Sequence, residues 1–222
     1  MLRFACFILA ISSVRGSRIV GGQNASIEKF PYTVSIEHLG NHLCLGSILS
    51  PTKVLTAAHC TKYYQLDELK VGAGNSLREQ GGQLITLIDK IEHPDFNNGL
   101  FSNDVGVLTL ASVLELSDKG GGQSQSLEAT CFRNNCKNCW LPRPANKDVV
   151  TLIFGLSILR PWCALVARKG KADARSYDSG GPVVVDGKQV GVVSTGLKQC
   201  SGKYPILYAK LGHFKEMIES WM

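Results

Sequence analysis

Three residue types that cooperate in acyl transfer occur in short, distinctive contexts: His59, Asp104 and Ser179. Residues 55–60 read LTAAHC, residues 103–108 read NDVGVL and residues 178–182 read DSGGP. A serine hydroxyl becomes an effective nucleophile when an imidazole accepts its proton, and a buried carboxylate fixes the tautomer of that imidazole and stabilises its charged form. Singly, the three contexts also suit a core histidine, a strand-start turn and a glycine turn. Together they indicate acyl transfer by a serine, with the glycines letting substrate backbone approach closely.

A processing site is predicted at residues 18–22, which read RIVGG. Cleavage after Arg18 would free the α-amino group of Ile19, whose ordinary pKa is about 7.7 to 8.0. Such an amine could stay charged beside a buried carboxylate. Read alone, the segment is an exposed basic loop; placed after an export signal, it is an activation site.

An export signal is predicted over residues 1–16, with residues 17–18 as a short activation peptide. Arg3 supplies a positive start, residues 4–11 an apolar run of eight, and residues 12–17 a small-residue stretch suited to cleavage. Because about 20 apolar residues are needed to span a bilayer, the run indicates a signal peptide rather than an anchor. We therefore expect a secreted, extracellular protein with no membrane contact.

The secondary-structure elements that must position these residues are predicted to be β-strands. Short apolar runs alternate with Gly, Pro, Asn and Asp, which predicts an all-β fold rather than βαβ units. The runs span residues 32–36, 54–58, 84–91, 105–110, 183–185 and 190–194. At the C-terminus, Phe214, Met217, Ile218 and Trp221 follow i, i+3, i+4, i+7 spacing and predict a short amphipathic helix.

Length and net charge limit the possible functions of the chain. The chain has 222 residues, of which 44% are hydrophobic, so it can bury a sizeable core. Its net charge of +6 falls to +3 once Arg3, Arg15 and Arg18 are removed, since 21 basic residues then face 18 acidic ones. That charge is too mild to indicate a nucleic-acid partner.

The motifs at residues 18–22, 56–60, 103–105 and 178–182 together resemble the trypsin/chymotrypsin family of serine proteases. The resemblance is close from Arg18 to about Ser112, is poor between residues 120 and 170, and resumes near Lys171. It implies two packed six-stranded antiparallel β-barrels with a short C-terminal helix and the active site in the cleft between the barrels. Residues 19–222 would form a monomeric protease domain, with barrels over 19–115 and 116–222.

The resemblance assigns a role to each catalytic residue. His59 is implied to be the general base, Asp104 the residue that orients it, and Ser179 the nucleophile. The backbone N–H groups of Tyr177 and Ser179 are implied to form the oxyanion hole. After cleavage at Arg18, Asp178 would pair with the Ile19 amine and order that hole, so the uncleaved chain would be an inert zymogen.

The resemblance also pairs Cys44 with Cys60. The five other cysteines of residues 19–222 have undetermined connectivity, and at least one lacks an internal partner. They are Cys131, Cys136, Cys139, Cys163 and Cys200. The cluster at 131–139 could be read as a zinc site, but three thiols without a nearby histidine in an exported chain favour disulfides. We expect no metal and no cofactor, since residues 69–83 hold one acidic residue, Glu79, which is too few for a calcium loop.

Specificity is expected to come from a pocket beneath Ser179. Asp173 lies where family members that cut after Arg or Lys carry an acidic residue, although a surface aspartate is an equal alternative. Ser194 and Gly196 are expected to line the pocket. Ile206 replaces an expected glycine and would narrow it.

Tyr177 departs most from the family pattern, because glycine is expected there and a residue with a Cβ can turn the oxyanion-hole peptide away. Two hypotheses follow: a serine endopeptidase of altered specificity, or an impaired paralogue with a binding or regulatory role. A third is that the gene structure assigned to residues 120–171 is wrong. For the enzyme, the expected partners are protein or peptide substrates, an activating protease and protein protease inhibitors.

Overall fold

A computed structural model describes residues 26–76, 81–97, 99, 101–116, 162–165, 177–185, 187–196 and 206–222. Within these residues the chain forms ten strands and one α-helix. In chain order they are β1 Thr33–His38, β2 Asn41–Ser50, β3 Lys53–Thr56, β4 Leu69–Ala73, β5 Gln83–Glu92, β6 Gly106–Leu110, β7 Trp162–Leu165, β8 Pro182–Val185, β9 Lys188–Gly196, β10 Ile206–Lys210 and α1 Leu211–Ser220. Short 3-10 turns cover Ile27–Lys29, Ala58–Cys60 and Leu66–Glu68.

The first six strands close into an antiparallel barrel in the order β1-β2-β3-β6-β5-β4. The barrel encloses an apolar core, and in β4 every second residue is buried, as expected for a strand with one face inward. In β4, Leu69, Val71 and Ala73 are buried while Lys70 is exposed. The all-β expectation and the first six-stranded barrel are confirmed.

The second half carries a four-stranded antiparallel sheet in the order β7-β10-β9-β8. Six strands are expected there, and the described residues of this half contain these four. The halves meet at β2, where the N–H of Leu45 donates at 2.8 Å to the carbonyl of Ser179, three residues before β8. One core runs through both halves, since Val192 of β9 clusters with the barrel interior.

Helix α1 follows β10 directly and packs on the body of the protein, as its periodicity predicts. Leu211, Phe214 and Ile218 are buried. Lys215 and Glu219 form an exposed i, i+4 ion pair at 3.4 Å. The apolar stripe therefore faces the core, and no helix among the described residues has the length and apolarity to cross a bilayer.

His93 links the barrel to α1 as a buried neutral side chain. The residue is 7% exposed, and its ring meets that of Phe214 edge-on at 5.5 Å. Its Nδ1 accepts the N–H of Asp95 at 3.1 Å. Burial lowers the pKa of His93 below the ordinary value of 6.5, and the neighbouring His213 lowers it further, while the Asp95 charge opposes both.

This lowered pKa predicts a loss of stability in mild acid. The unfolded chain binds more protons than the native one between the two His93 pKa values, so the contribution is complete above pH 6.5 and is lost as pH falls through the native value. We expect His93→Asn, which keeps an acceptor that does not titrate, to flatten the dependence of unfolding free energy on pH between 7.5 and 5. Urea unfolding at a series of pH values measures this dependence. The same dependence of unfolding free energy on pH in both proteins would contradict a lowered pKa of His93.

Candidate active site

His59 and Asp104 are brought together by the pairing of β3 with β6. His59 lies on the 3-10 turn just after β3, and Asp104 lies two residues before β6. The strands are antiparallel with Thr56 opposite Gly106, so the end of one adjoins the start of the other. The His59 N–H donates to Asp104 Oδ1 at 2.9 Å, and Nδ1 lies 2.7 Å from Oδ2.

Asp104 is held from both halves of the molecule. It is 1% exposed. Besides its two bonds with His59, it accepts a short hydrogen bond from the hydroxyl of Ser194 on β9. Because the carboxylate accepts, Nδ1 of His59 carries the hydrogen, and Nε2 of the neutral ring is left with the lone pair. That nitrogen can serve as a general base.

Ser179 lies beside this pair but is not yet engaged with it. Its hydroxyl donates to the carbonyl of Ser194 at 3.3 Å. No hydrogen bond joins that hydroxyl to His59 among the described residues. Catalytic hydrogen bonds often tighten only when substrate binds, so this geometry does not exclude the pair. The hydroxyl must leave Ser194 before it can donate to Nε2.

Gly180 has a structural role different from the substrate approach inferred from sequence. Its φ is +80°, and a Cβ there would lie 2.2 Å from the carbonyl oxygen of Leu45 and 2.3 Å from Oγ1 of Thr56. Its N–H donates to the carbonyl of Val193 at 2.7 Å. Glycine is therefore required because the nucleophile segment lies directly against the first barrel.

Tyr177 adopts a left-handed backbone with φ +79°. This conformation costs a residue with a Cβ about 1–2 kcal/mol. Its carbonyl accepts the Nε2–H of His42 at 3.1 Å, and Nδ1 of that ring lies 2.7 Å from the hydroxyl of Ser35. The rings of Tyr177 and His42 lie 6.2 Å apart. His42 therefore holds the Tyr177–Asp178 peptide in place, a role that sequence reasoning missed.

The backbone N–H groups expected to form the oxyanion hole belong to Tyr177 and Ser179. Within the described part of the chain, neither the N–H of Tyr177 nor that of Ser179 donates to a protein acceptor. The nearby N–H of Gly181, in contrast, donates to the carbonyl of Asp178 at 3.2 Å. Within the described residues both N–H groups therefore lack a protein acceptor, which the expected oxyanion hole would require.

A disulfide joins Cys44 to Cys60, as the family resemblance implies. It links β2 to the residue after His59 and so fixes the histidine turn. The sulfur of Cys60 lies 3.7 Å from Nε2 of His59. These three side chains converge as metal ligands would, but the disulfide occupies both sulfurs.

Phe101 is a second residue that sequence reasoning missed. Its ring meets that of His59 edge-on at 5.5 Å, and its φ is +51°. A phenylalanine three residues before an acidic residue carries no signal of its own in one sequence. It covers one side of the imidazole.

The predicted specificity residues are only partly described. Gly196 ends β9 and lies opposite Ile206, the first residue of β10. Ser194 is buried beneath Ser179. Arg18, Ile19 and Asp173 lie outside the described residues, as do the side chains of the five cysteines other than Cys44 and Cys60 in residues 19–222.

The amino-acid sequence matches those of trypsin-like serine proteases. The sequence profile named Trypsin matches residues 19–140 and 160–218. Hypodermin-A of Hypoderma lineatum is 30% identical over 251 residues, covering 99% of this chain and 98% of its own. Trypsin of Phaedon cochleariae is 28% identical over 246 residues, covering 97% and 92%.

Two solved structures share the fold. The scabies mite inactivated protease paralogue S-D1 superposes with a TM-score of 0.75 at 18% identity, covering 91% of this chain and 97% of its own. Neuropsin, a serine protease expressed in the limbic system of mouse brain, superposes with a TM-score of 0.71 at 23% identity, covering 88% and 96%.

Proposed function

The chain belongs to the trypsin family of serine proteases, and from that premise we propose that it is a secreted endopeptidase. The observation that carries the proposal is the buried Asp104, which holds His59 with Nε2 free to accept a proton. Ser179, in its DSGGP context, is the proposed nucleophile. Burying a carboxylate is unfavourable, and the three hydrogen bonds that offset this cost also pre-organise His59 as a general base.

The proposed reaction begins with Nε2 of His59 taking the proton of Ser179. The serine oxygen attacks the scissile carbonyl carbon, and the negative charge on the carbonyl oxygen is met by the N–H groups of Tyr177 and Ser179. His59 then gives its proton to the leaving amine as the C–N bond breaks. Water attacks the acyl-enzyme by the same route, and Asp104 stabilises the imidazolium each time it forms.

Processing and location are part of the proposal. We infer a signal peptide over residues 1–16, an activation peptide at 17–18 and a monomeric protease domain over 19–222, with barrels at 19–115 and 116–222. Cleavage after Arg18 by another protease would free the Ile19 amine to pair with Asp178. Protein inhibitors that fit the cleft are further expected partners.

Substrate preference is proposed to depend on Asp173. A carboxylate at the base of the pocket would favour cleavage after Arg or Lys. Gly196 and Ile206, which pair across β9 and β10, are the proposed wall of this pocket. A branched side chain in place of the family's glycine would narrow this wall and shift the preference toward smaller residues.

An impaired paralogue with a binding or regulatory role is the second candidate. Two observations favour it: the Ser179 hydroxyl donates to Ser194 rather than to His59, and Tyr177 occupies a left-handed conformation. A strained oxyanion-hole peptide with a diverted nucleophile would bind peptides in the cleft without cleaving them.

Turnover of fluorogenic peptides with Arg, Phe or Ala before the scissile bond tests both candidates. The chain is first cleaved after Arg18 by an added protease that is then inactivated, and Ser179→Ala is treated in parallel. We expect hydrolysis that disappears in Ser179→Ala. Correctly processed, folded protein that cleaves no peptide and leaves Ser179 unlabelled by a serine-directed phosphonate would support the impaired paralogue.

A further inference from the structure

Side chains of β5 contact the end of the turn that carries His59. Nζ of Lys90 donates to the carbonyl of Thr61 at 2.7 Å. The hydroxyl of Thr61 donates to Oε1 of Glu92 at 2.9 Å, and that oxygen lies 3.4 Å from Nζ of Lys90. The carbonyl of Ala58 is a more distant acceptor for the same hydroxyl, at 3.5 Å. Thr61, Lys90 and Glu92 therefore form a closed ring of contacts, which we name the β5 clamp.

The β5 clamp is mostly buried. Thr61 is 0% exposed, and the side chains of Lys90 and Glu92 are 18% and 17% exposed. For an ion pair buried to this extent, the loss of hydration offsets much of the attraction, so apolar side chains of similar volume would stabilise the fold about as well. A satisfied ring of directional hydrogen bonds, in contrast, fixes the relative positions of the segments that it joins.

Gly106 leaves the space through which Glu92 reaches the turn. Gly106 is the first residue of β6 and pairs with Glu92 on β5 and with Thr56 on β3. A Cβ on Gly106 would lie 3.5 Å from Cγ of Glu92 and 3.7 Å from Cα of Ala58. The Glu92 side chain therefore passes over the start of β6 and ends beside the turn that follows β3.

The end of β5 is also attached to the segment that carries Asp104. The N–H of His93, which directly follows β5, donates to the carbonyl of Val105 at 3.0 Å. Val105 directly follows Asp104, and Thr61 lies two residues after His59. The same end of β5 is therefore bonded to both segments whose side chains form the 2.7 Å contact between Nδ1 and Oδ2.

We propose that Lys90 and Glu92 are positioning residues, which hold the His59 turn in the place where its ring meets Asp104. The disulfide attaches the same turn to β2, and the β5 clamp attaches it to β5. The inference rests on the proposed endopeptidase function, because it gives the β5 clamp a role in placing the general base. Misplacing a catalytic group by about 1 Å can lower turnover about 10²-fold.

Lys90→Met tests this role, because it keeps the aliphatic stem and removes the ammonium group. In protein cleaved after Arg18, we expect kcat to fall about tenfold to 100-fold while KM changes less than about twofold, since a misplaced base affects the reacting atoms more than substrate binding. Thr61→Val, which removes only the hydroxyl contact, should lower kcat less, and Thr61→Ser, which keeps a hydroxyl, should stay near the parent. Steady-state kinetics on the preferred fluorogenic peptide measure all three variants.

An exposed ion pair supplies the matched control. Lys215→Met removes the same charge from a pair with Glu219 on α1, whose N···O distance is also 3.4 Å, and should leave kcat unchanged. If Lys90→Met does not fold by urea unfolding, Glu92→Gln replaces it, with Glu219→Gln as its control and a fall in kcat again expected. A loss of kcat no larger than that of the matched control would overturn the proposal.

A second measurement does not need turnover, so it separates failure of this inference from failure of the proposed function. NMR of protein that contains isotope-labelled histidine detects the Nδ1–H of His59, assigned by its absence from His59→Ala. We expect this resonance in the parent and its loss in Lys90→Met, because a looser contact with Asp104 exposes the proton to exchange with water. If the parent cleaves no peptide but the variant shows this loss, the β5 clamp still positions His59 and only the endopeptidase function fails. The same resonance in the parent and in Lys90→Met would overturn the inference, even in an active protease.

Discussion

Asp104→Asn, in protein cleaved after Arg18, is expected to lower kcat about 10⁴-fold with little change in KM. With its oxygen in the place of Oδ1, the asparagine keeps the bond from the His59 N–H, and its NH₂ then lies in the place of Oδ2 and faces Nδ1. Nδ1 must accept that hydrogen, so the proton moves to Nε2. The imidazole is then in the wrong tautomer to take the proton of Ser179. Steady-state kinetics on the preferred fluorogenic peptide measure the loss.

Two variants show whether the loss reflects the tautomer. Asp67→Asn makes the same change on an exposed turn and should leave kcat unchanged. Ser194→Ala removes one bond to Asp104 but keeps the 2.7 Å contact with Nδ1, so a much smaller loss is expected. A kcat in Asp104→Asn within tenfold of the parent, in protein of normal stability, would remove Asp104 from the proposed mechanism.

The catalytic residues could be located from sequence because each has a local signature. His59, Asp104 and Ser179 are marked by their immediate neighbours, and strand periodicity marks the β-runs that carry them. The structure adds contacts between residues that are distant in the sequence, which local motifs do not indicate. Ser194 lies 90 residues from Asp104 along the chain, yet it donates the third hydrogen bond to that carboxylate.

The contact between His42 and the carbonyl of Tyr177 was not predictable for the same reason. His42 contacts Tyr177 across 135 residues, and its signal in the sequence is only a histidine near a cysteine. Strand register pairs Glu37 with Lys70 on β4 and with His42 on β2, and the pairing with β2 shifts between Ile36 and Glu37. Bulges and register shifts depend on the whole sheet, so one sequence does not specify them.

Tyr177→Gly is expected to raise kcat, by up to about 10²-fold if the tyrosine displaces one oxyanion donor. Glycine adopts the observed φ of +79° without a Cβ penalty, so the peptide can turn its N–H toward the developing oxyanion. The relief of about 1–2 kcal/mol of backbone strain is offset in part by the greater freedom of glycine in the unfolded chain, about 0.5–1 kcal/mol. Stability should therefore rise slightly or stay the same. Parallel measurements of kcat, KM and urea unfolding test both expectations.

Tyr177→Ala distinguishes the Cβ from the ring. Alanine keeps the backbone strain but removes the aromatic contact with His42, so it should stay close to the parent in kcat if strain limits turnover. Equal gains in the alanine and glycine variants would instead assign the effect to the ring, which is 54% exposed and free to obstruct bound peptide. No gain in either would mean that the Tyr177 N–H already has its working orientation, with His42 fixing the carbonyl of the same residue. The only remaining support for an impaired paralogue would then be the Ser179 hydroxyl, which donates to the carbonyl of Ser194 instead of to His59.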